Sequence, residues 1–169
     1  MKYNLVTISS DYCNYLRKFD NKVSYNFANK ESRPFVGVLF EINKLKYFAP
    51  LSSPKPKHVT MKNQIDFYKI NNGKLGVINF NNMIPVIEGC YNIIDLSKSK
   101  SSILKRDKVY YILLDKQLRW LIRNGNNINK KAKLLYDKKL SDTLNSSISS
   151  RCCNFKLLEI KCNEYMINI

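Results

Sequence analysis

The segment at residues 47–57, YFAPLSSPKPK, limits the possible local folds more than any other stretch of this chain. It begins as a short apolar strand, and Pro50, Pro54 and Pro56 then fix the backbone φ angle and remove backbone N–H donors. The sequence therefore predicts a stiff loop that leaves a sheet, and it argues against a helix here. This loop holds hydroxyl groups and cations at one end of a strand, namely Ser52, Ser53, Lys55 and Lys57.

Hydroxyl groups and cations on a rigid loop suit the chemistry of a phosphodiester. RNA carries its own nucleophile, the 2′-OH, so cleavage without a metal ion needs proton transfer and stabilisation of the charge that develops at phosphorus. Lys55 can stabilise the phosphorane or transfer a proton, and Ser52 and Ser53 can donate to the nonbridging oxygens. Arg33 has the fork geometry that phosphate prefers. A proline-stiffened surface turn with solvated lysines explains the same composition equally well.

The charge of the chain is strongly positive and unevenly distributed. The 169 residues include 29 Lys or Arg and 13 Asp or Glu, which gives a net charge of +16. Residues 97–139 hold 13 basic and 3 acidic side chains, and residues 1–65 hold 11 and 4. A protein with this charge binds polyanions at low salt, so nucleic acid is the expected partner. The alternative is that the many lysines and asparagines reflect an AT-rich genome.

Several kinds of active site have no signature in this sequence. It contains no phosphate-binding P-loop, dinucleotide fingerprint or serine-hydrolase motif, and its acidic residues are too scattered for a two-metal nuclease. The five cysteines lack a Cys-x-x-Cys spacing, and the one histidine, His58, completes no zinc pattern. We therefore expect no metal and no cofactor. His58 lies in a polar turn, where we expect it to be solvated.

The chain reads as one soluble unit. Its N-terminus lacks the apolar region of a signal peptide, and no apolar run approaches the length that spans a membrane. Apolar residues make up 44% of the sequence, enough for a folded core. We expect a cytoplasmic protein with a single domain over residues 1–169.

The two halves of the chain differ in their hydrophobic periodicity. The first half predicts a helix at 11–20, a long polar loop at 20–33, and strands at 2–8, 34–42, 45–51, 65–70, 75–80 and 83–87. The strands at 34–42 and 45–51 are expected to pair across the Asn43-Lys44 turn. The second half predicts helices at 104–123, 129–140 and 154–166, with a serine-rich loop at 141–151.

The chain resembles the ToxN/AbiQ family in segments that together cover nearly its whole length. Those at 47–57 and 76–86 are the most specific. The segments are TISSDYCNYL (7–16), FDNKV (19–23), RPFVG (33–37), YFAPLSSPKPK (47–57), GVINFNNMIPV (76–86) and CNFKLLE (153–159).

The resemblance implies a fold, an activity and a partner. The fold would be α+β, a strongly twisted antiparallel β-sheet related to the Kid and MazF toxins, with added helices mainly in the C-terminal half. The activity would be that of a metal-independent endoribonuclease, the toxin of a type III toxin–antitoxin system that acts in abortive phage infection. The antitoxin would be a repeat RNA folded into pseudoknots. This RNA would occupy the active site in a closed protein–RNA ring.

The resemblance also assigns roles to individual positions. The family's Thr/Ser-Ser-Pro-Lys motif falls on Ser52, Ser53 and Lys55, and its basic residue before the first buried strand falls on Arg33. We predict these four residues to be catalytic. Some members carry an active-site tyrosine a few residues before that basic residue, where this chain has FANK at 27–30.

RNA is expected to lie along the loops at 20–33 and 52–62 and along the basic helices between 98 and 139. Aromatic side chains in these loops can stack on splayed bases. The residues predicted to contact RNA are Lys22, Tyr25, Phe27, Asn29, Lys30, Lys57, His58 and Lys62.

Two other functional classes compete with a ribonuclease. The first is a basic RNA-binding protein without catalysis, in which the 52–57 loop only grips phosphates. The second is a basic protein bound to anionic membranes. The chain lacks a basic amphipathic segment with a strongly apolar face, which argues against membrane binding.

Overall fold

An antiparallel sheet forms the centre of the protein, and helices from the C-terminal half pack against it. The computed structural model describes residues 3–24, 33–97, 104–125 and 127–167. Within these residues the strands are β1 (Asn4–Ile8), β2 (Phe35–Gly37), β3 (Glu41–Ile42), β4 (Leu45–Ser52), β5 (Tyr68–Lys69), β6 (Val77–Ile78), β7 (Ile84–Val86) and β8 (Tyr91–Ile93). The helices are α1 (Ser10–Arg17), α2 (Pro56–Thr60), α3 (Lys105–Asn124), α4 (Ile128–Leu140), α5 (Ser146–Arg151) and α6 (Phe155–Ile167).

The long strand β4 organises the sheet. Its first half pairs with β3 and β7, and its second half pairs with β2 and β6. The expected hairpin is therefore confirmed, and Asn43 and Lys44 turn it with φ angles of 50° and 67°, as a tight hairpin turn requires. The predicted strand at 34–42 is interrupted at residues 38–40, because the two ends of this segment pair with β4 in different registers.

Helix α1 is fixed at its start and along one face. The Ser9 hydroxyl accepts a hydrogen bond from the Tyr12 amide at 3.5 Å, which satisfies one of the free donors of the first turn. Tyr12, Cys13 and Leu16 are buried, as the spacing of apolar residues predicts. The Tyr12 hydroxyl donates to the Pro85 carbonyl at 2.7 Å, which connects the helix to β7.

Helix α6 connects the sheet to the other helices, since it contacts β7, α1 and α4. Its Glu159 accepts hydrogen bonds from the Tyr47 hydroxyl on β4 at 2.9 Å and from the Tyr136 hydroxyl on α4 at 2.6 Å. One partly buried carboxylate thus joins three elements. The Phe155 ring meets the Tyr47 ring edge-on at 6.1 Å and stacks on the Tyr136 ring at 5.7 Å.

Some elements differ from the sequence prediction. The serine-rich stretch at 141–151 was expected to be a loop, yet residues 146–151 form α5, because the Asn145 side chain accepts from the Ile148 amide at 2.9 Å and caps the helix. Strand β8 was not predicted. It exists because it pairs with β1 over three residues, a long-range contact that local sequence does not encode.

The described residues include all five cysteines, which are buried and free of disulfides. Burial raises the pKa of every one of these thiols, so they are poor nucleophiles. Over the described part of the chain, no helix combines the length and apolar character that crossing a membrane requires.

Candidate active site

Strand β4 leads directly into the predicted catalytic loop. The strand ends at Ser52, which is half-buried, and Ser53, Pro54 and Lys55 are exposed and lie outside regular structure. The prediction that no helix follows is wrong, because α2 begins at Pro56. Proline is tolerated there, since the first turn of a helix leaves its backbone N–H groups unpaired in any case.

The hydroxyl of Ser52 is held from the sheet side. The Asn79 side-chain nitrogen donates to Ser52 Oγ at 2.9 Å and to the Pro50 carbonyl at 3.3 Å. The Asn79 backbone amide also donates to the Pro50 carbonyl, at 3.0 Å. Asn79 lies directly after β6, the strand that pairs with the end of β4.

Two glycines with positive φ support the backbone of this loop. Gly76 has a φ of +97°, and a Cβ there would lie 2.0 Å from the Ser52 carbonyl oxygen. Gly73 has a φ of +88°, and a Cβ there would lie 2.1 Å from the His58 carbonyl oxygen. Both positions therefore require glycine twice over, for the backbone angle and for the close approach of another chain segment.

His58 is a structural part of the loop. The expectation that it is solvated is wrong, because its side chain packs inward and the residue is only 3% exposed. Its Nδ1 accepts a hydrogen bond from the Lys55 amide at 3.2 Å, while its own amide donates to the Lys55 carbonyl at 2.9 Å. The ring thus fixes the backbone at Lys55.

The protonation state of His58 follows from its surroundings. Burial lowers the pKa of the imidazole below its ordinary value. Positive charges nearby lower it further, and these belong to Lys57, Lys55 and Lys69. At neutral pH the ring is therefore uncharged, and Nδ1 is free to accept the Lys55 amide.

Arg33 lies beside the end of β4. The Leu51 amide donates to the Pro34 carbonyl at 2.8 Å, which holds the residue after Arg33 against the residue before Ser52. The half-buried Arg33 guanidinium donates to Ser24 Oγ at 3.5 Å. The fold thus brings Arg33 near the start of the predicted catalytic loop.

The first residues of the predicted RNA-binding loop at 20–33 are held firmly. Asp20, which is buried, accepts from the Lys22 amide at 2.9 Å and from the Asn154 amide at 2.7 Å. The Asn82 side chain donates to the Lys22 carbonyl at 2.8 Å. Lys22 is exposed, as are Lys57 and Lys62. Of the other predicted contacts, His58 is buried, and Tyr25, Phe27, Asn29 and Lys30 lie outside the described residues.

The site offers cations and hydroxyl groups on a supported loop. Among the described residues, no group of three or more His, Cys, Asp or Glu side chains is placed to hold a metal ion. Ser53, Lys55 and Lys57 are exposed, while Ser52 and Arg33 are half-buried near the end of β4. Such groups can bind a phosphate and stabilise added negative charge on it.

Sequence reasoning missed the residues that support the loop. Asn79 and Gly76 lie in the GVINFNNMIPV segment, which was prominent in the sequence without a stated role. Gly73 was visible only as part of an Asn-Asn-Gly turn. The contacts of Asn79 and Gly76 depend on the pairing of β4 with β6, and that of Gly73 depends on the packing of its turn against α2, so no local signal identifies them.

The comparison with known proteins decides the family. Residues 4–163 match the family described as "Toxin ToxN, type III toxin-antitoxin system". The chain belongs to this family. It is 34% identical over 163 residues to the endoribonuclease ToxN of Bacillus thuringiensis subsp. kurstaki, covering 94% of this chain and 82% of the relative.

Other named relatives agree. The endoribonuclease ToxN of Pectobacterium atrosepticum is 35% identical over 167 residues, covering 94% of this chain and 91% of the relative. The endoribonuclease AbiQ of Lactococcus lactis subsp. lactis is 32% identical over 176 residues, covering 98% of this chain and 90% of the relative. The chain is therefore a divergent relative of AbiQ.

Solved structures confirm the predicted α+β class, with an antiparallel sheet and helices mainly in the C-terminal half. A type III toxin described as selectively inhibited by a non-coding RNA pseudoknot has a TM-score of 0.80 and 34% identity, covering 98% of this chain and 99% of that one. AbiQ, described as a lactococcal anti-phage endoribonuclease of the type III toxin–antitoxin system, has a TM-score of 0.80 and 28% identity, covering 98% and 99%.

Proposed function

We propose that this chain cleaves RNA without a metal ion, by attack of the 2′-OH on the adjacent phosphorus. Its family makes it an endoribonuclease toxin of a type III toxin–antitoxin system, of the kind that acts against phage. The reaction breaks the bond between phosphorus and the 5′-oxygen. The products are a 2′,3′-cyclic phosphate and a 5′-hydroxyl. The 2′-OH loses one proton and the leaving 5′-oxygen gains one, so no net proton is released.

One observation carries this mechanism: the Ser52–Lys55 loop is fixed by neighbouring segments, while its lysine and Ser53 remain exposed. Preorganised donors of this kind are effective because they need not reorient as charge develops. In the proposal Lys55 and Ser53 act at the reacting phosphate. Ser52 and Arg33 bind its nonbridging oxygens from the sheet side.

The proposed antitoxin is a repeat RNA with pseudoknot structure, which covers the site and is also a substrate for processing. A pseudoknot inhibits the relative described above, and the net charge of +16 supports an RNA partner here. A closed ring of alternating toxin and RNA is part of the proposal. We also propose that residues 1–169 act as one unit in the cytoplasm, where target RNA is found.

Cleavage assays test this mechanism directly. Sequencing of RNA ends after brief expression identifies a cut site, and a short RNA containing it is then incubated with purified protein in excess EDTA. We expect full activity in EDTA, a 2′,3′-cyclic phosphate at the new end, and no cutting when the residue 5′ to the cut is 2′-deoxy. Loss of activity in EDTA, or cleavage of the deoxy substrate, would overturn the mechanism.

The role of Lys55 is tested by substitution. We expect Lys55→Ala to slow cleavage by about 10²–10³-fold, the usual effect of losing one preorganised donor, and to leave the melting temperature unchanged because the side chain is exposed. Lys156→Ala, which removes an equally exposed lysine from α6, is the matched control and should retain full activity. Full cleavage by a folded Lys55→Ala variant would contradict the assignment.

A further inference from the structure

The orientation of the Asn79 amide can be deduced from its two partners. The Pro50 carbonyl oxygen only accepts hydrogen bonds, so the side-chain atom of Asn79 that lies 3.3 Å from it must be the nitrogen. The same nitrogen lies 2.9 Å from Ser52 Oγ. Ser52 is therefore the acceptor in this contact, and its hydroxyl proton is directed elsewhere.

That proton is available to a ligand. Ser52 is half-buried at the exposed end of β4, and none of the described residues accepts a hydrogen bond from its hydroxyl. An accepted hydrogen bond also polarises the hydroxyl and strengthens it as a donor. The contact with Asn79 thus leaves the Ser52 proton available for donation to an anionic oxygen of RNA.

We propose that Asn79 is a positioning residue that sets the Ser52 hydroxyl as a donor to a nonbridging oxygen of the phosphate that is cleaved. This proposal rests on the ribonuclease function proposed above. It assigns a role within the GVINFNNMIPV segment, through the contact between the residue after β6 and the end of β4.

The side-chain role can be separated from a purely structural one. The backbone amide of Asn79 donates to Pro50 at 3.0 Å, and this bond persists whatever side chain is present. Asn81, two residues later, provides a matched control, because its side-chain nitrogen donates to the Arg151 carbonyl at 3.3 Å and not to the loop.

The test is a double-mutant cycle on the single-turnover cleavage rate of the RNA defined above. The variants are Asn79→Ala, Ser52→Ala and the double variant, and binding is measured with the uncut 2′-deoxy RNA. We expect Asn79→Ala to slow cleavage by about tenfold, the effect of one neutral hydrogen bond, with binding within about twofold of wild type. In the Ser52→Ala background the same change should have almost no effect. Asn81→Ala should cleave at the wild-type rate.

Asn79→Asp keeps the shape of the side chain and reverses its hydrogen bonding, so it tests the same idea if Asn79→Ala fails to fold. The carboxylate would accept the Ser52 proton and repel phosphate, and we expect a larger loss of rate than for Asn79→Ala. Equal losses from Asn79→Ala with and without Ser52, or a wild-type rate for Asn79→Asp, would overturn the proposal. A wild-type protein that does not cleave RNA would instead overturn the proposed function.

Discussion

At the scale of single residues, the loop that we propose to be catalytic is supported by residues outside the predicted catalytic set. Lys55, Ser52 and Ser53 are visible in the sequence because hydroxyls and cations between prolines form a local pattern. The support from Asn79 and Gly76 is not visible there, because both act through contacts that form only once distant segments have paired. His58 contacts Lys55 only three residues away, and the sequence does not show that its ring is buried. The burial of His58 illustrates the point, since its neighbours in the sequence are polar or exposed.

Gly76 and Gly89 make a matched pair for testing this support. Their φ angles are +97° and +85°, so alanine at either position is strained by about 1–2 kcal/mol. A Cβ at Gly89 would meet nothing within 4 Å, whereas a Cβ at Gly76 would lie 2.0 Å from the Ser52 carbonyl. We therefore expect Gly76→Ala to lower the free energy of unfolding more than Gly89→Ala, and to slow RNA cleavage at least tenfold.

Urea unfolding and single-turnover cleavage of both variants measure these effects. Gly89→Ala should show the backbone strain alone and keep its cleavage rate. If the two variants lose the same stability and both cleave normally, the contact between Gly76 and the loop has no functional importance.

At the scale of elements, sequence patterns predicted the helices better than the strands. Helices α1, α3, α4 and α6 lie within a few residues of their predicted positions, because apolar residues at helical spacing extend over many turns. Strands β5 to β7 are only two or three residues long, and their bounds depend on pairing with distant strands, β6 and β7 with β4 and β5 with β6. The sequence pattern did not predict helix α2, because the prolines of the 47–57 segment argue against a helix. Pro56, however, occupies the first position of α2, where proline is tolerated.

Helix α2 also gives the loop a dependence on pH. The pKa of His58 in the folded protein is lowered from its ordinary 6.5. At a pH between the folded pKa and 6.5, the unfolded chain therefore binds a proton that the folded chain does not. The free energy of unfolding therefore falls as pH decreases below about 6.5. A proton on Nδ1 would also remove the acceptor of the Lys55 amide.

His58→Asn tests this dependence, because the asparagine Oδ1 can accept the same amide and does not titrate. We expect the wild type to lose stability relative to this variant between pH 7.5 and pH 5.5, as measured by urea unfolding. Carboxylates titrate in both proteins, and their effect cancels in the difference. Parallel stability curves over this range would show that His58 does not have the proposed linkage.

At the scale of the whole molecule, the basic helix α3 and the proposed catalytic loop lie on adjoining elements. The 3₁₀ turn at Ile70–Gly73 contacts both α2 and α3. The basic helix α3 therefore lies next to the turn that contains Gly73, one of the two glycines that support the loop. Helix α3 buries only Leu114, Gln117 and Leu121, and most of its basic side chains face outward. Composition predicted a cationic protein, but only the fold places this charge beside the site.

We expect this surface to bind the antitoxin RNA with a strong dependence on salt. Each phosphate contact releases counterions, and the slope of log K against log salt is about −0.7 per contact for single strands and −0.9 for duplexes. Affinity is measured across a salt series in the Lys55→Ala background, in which cutting is strongly slowed, with the cognate pseudoknot RNA and a scrambled RNA of equal length. Both should weaken with salt, while the cognate RNA keeps an advantage at physiological salt.

Two triple variants locate the surface. Changing the exposed Lys108, Lys116 and Arg123 of α3 to Gln should reduce the slope by about 2, since three contacts are lost. Changing the equally exposed Lys18, Lys44 and Lys156 to Gln removes the same charge from outside the proposed surface and should reduce the slope much less. Equal slopes for the two variants would mean that RNA responds only to net charge. Shape and splayed bases distinguish the cognate RNA from the scrambled RNA. Equal affinities of the two RNAs at physiological salt would mean that these features contribute nothing to recognition, and would rule out a specific RNA antitoxin.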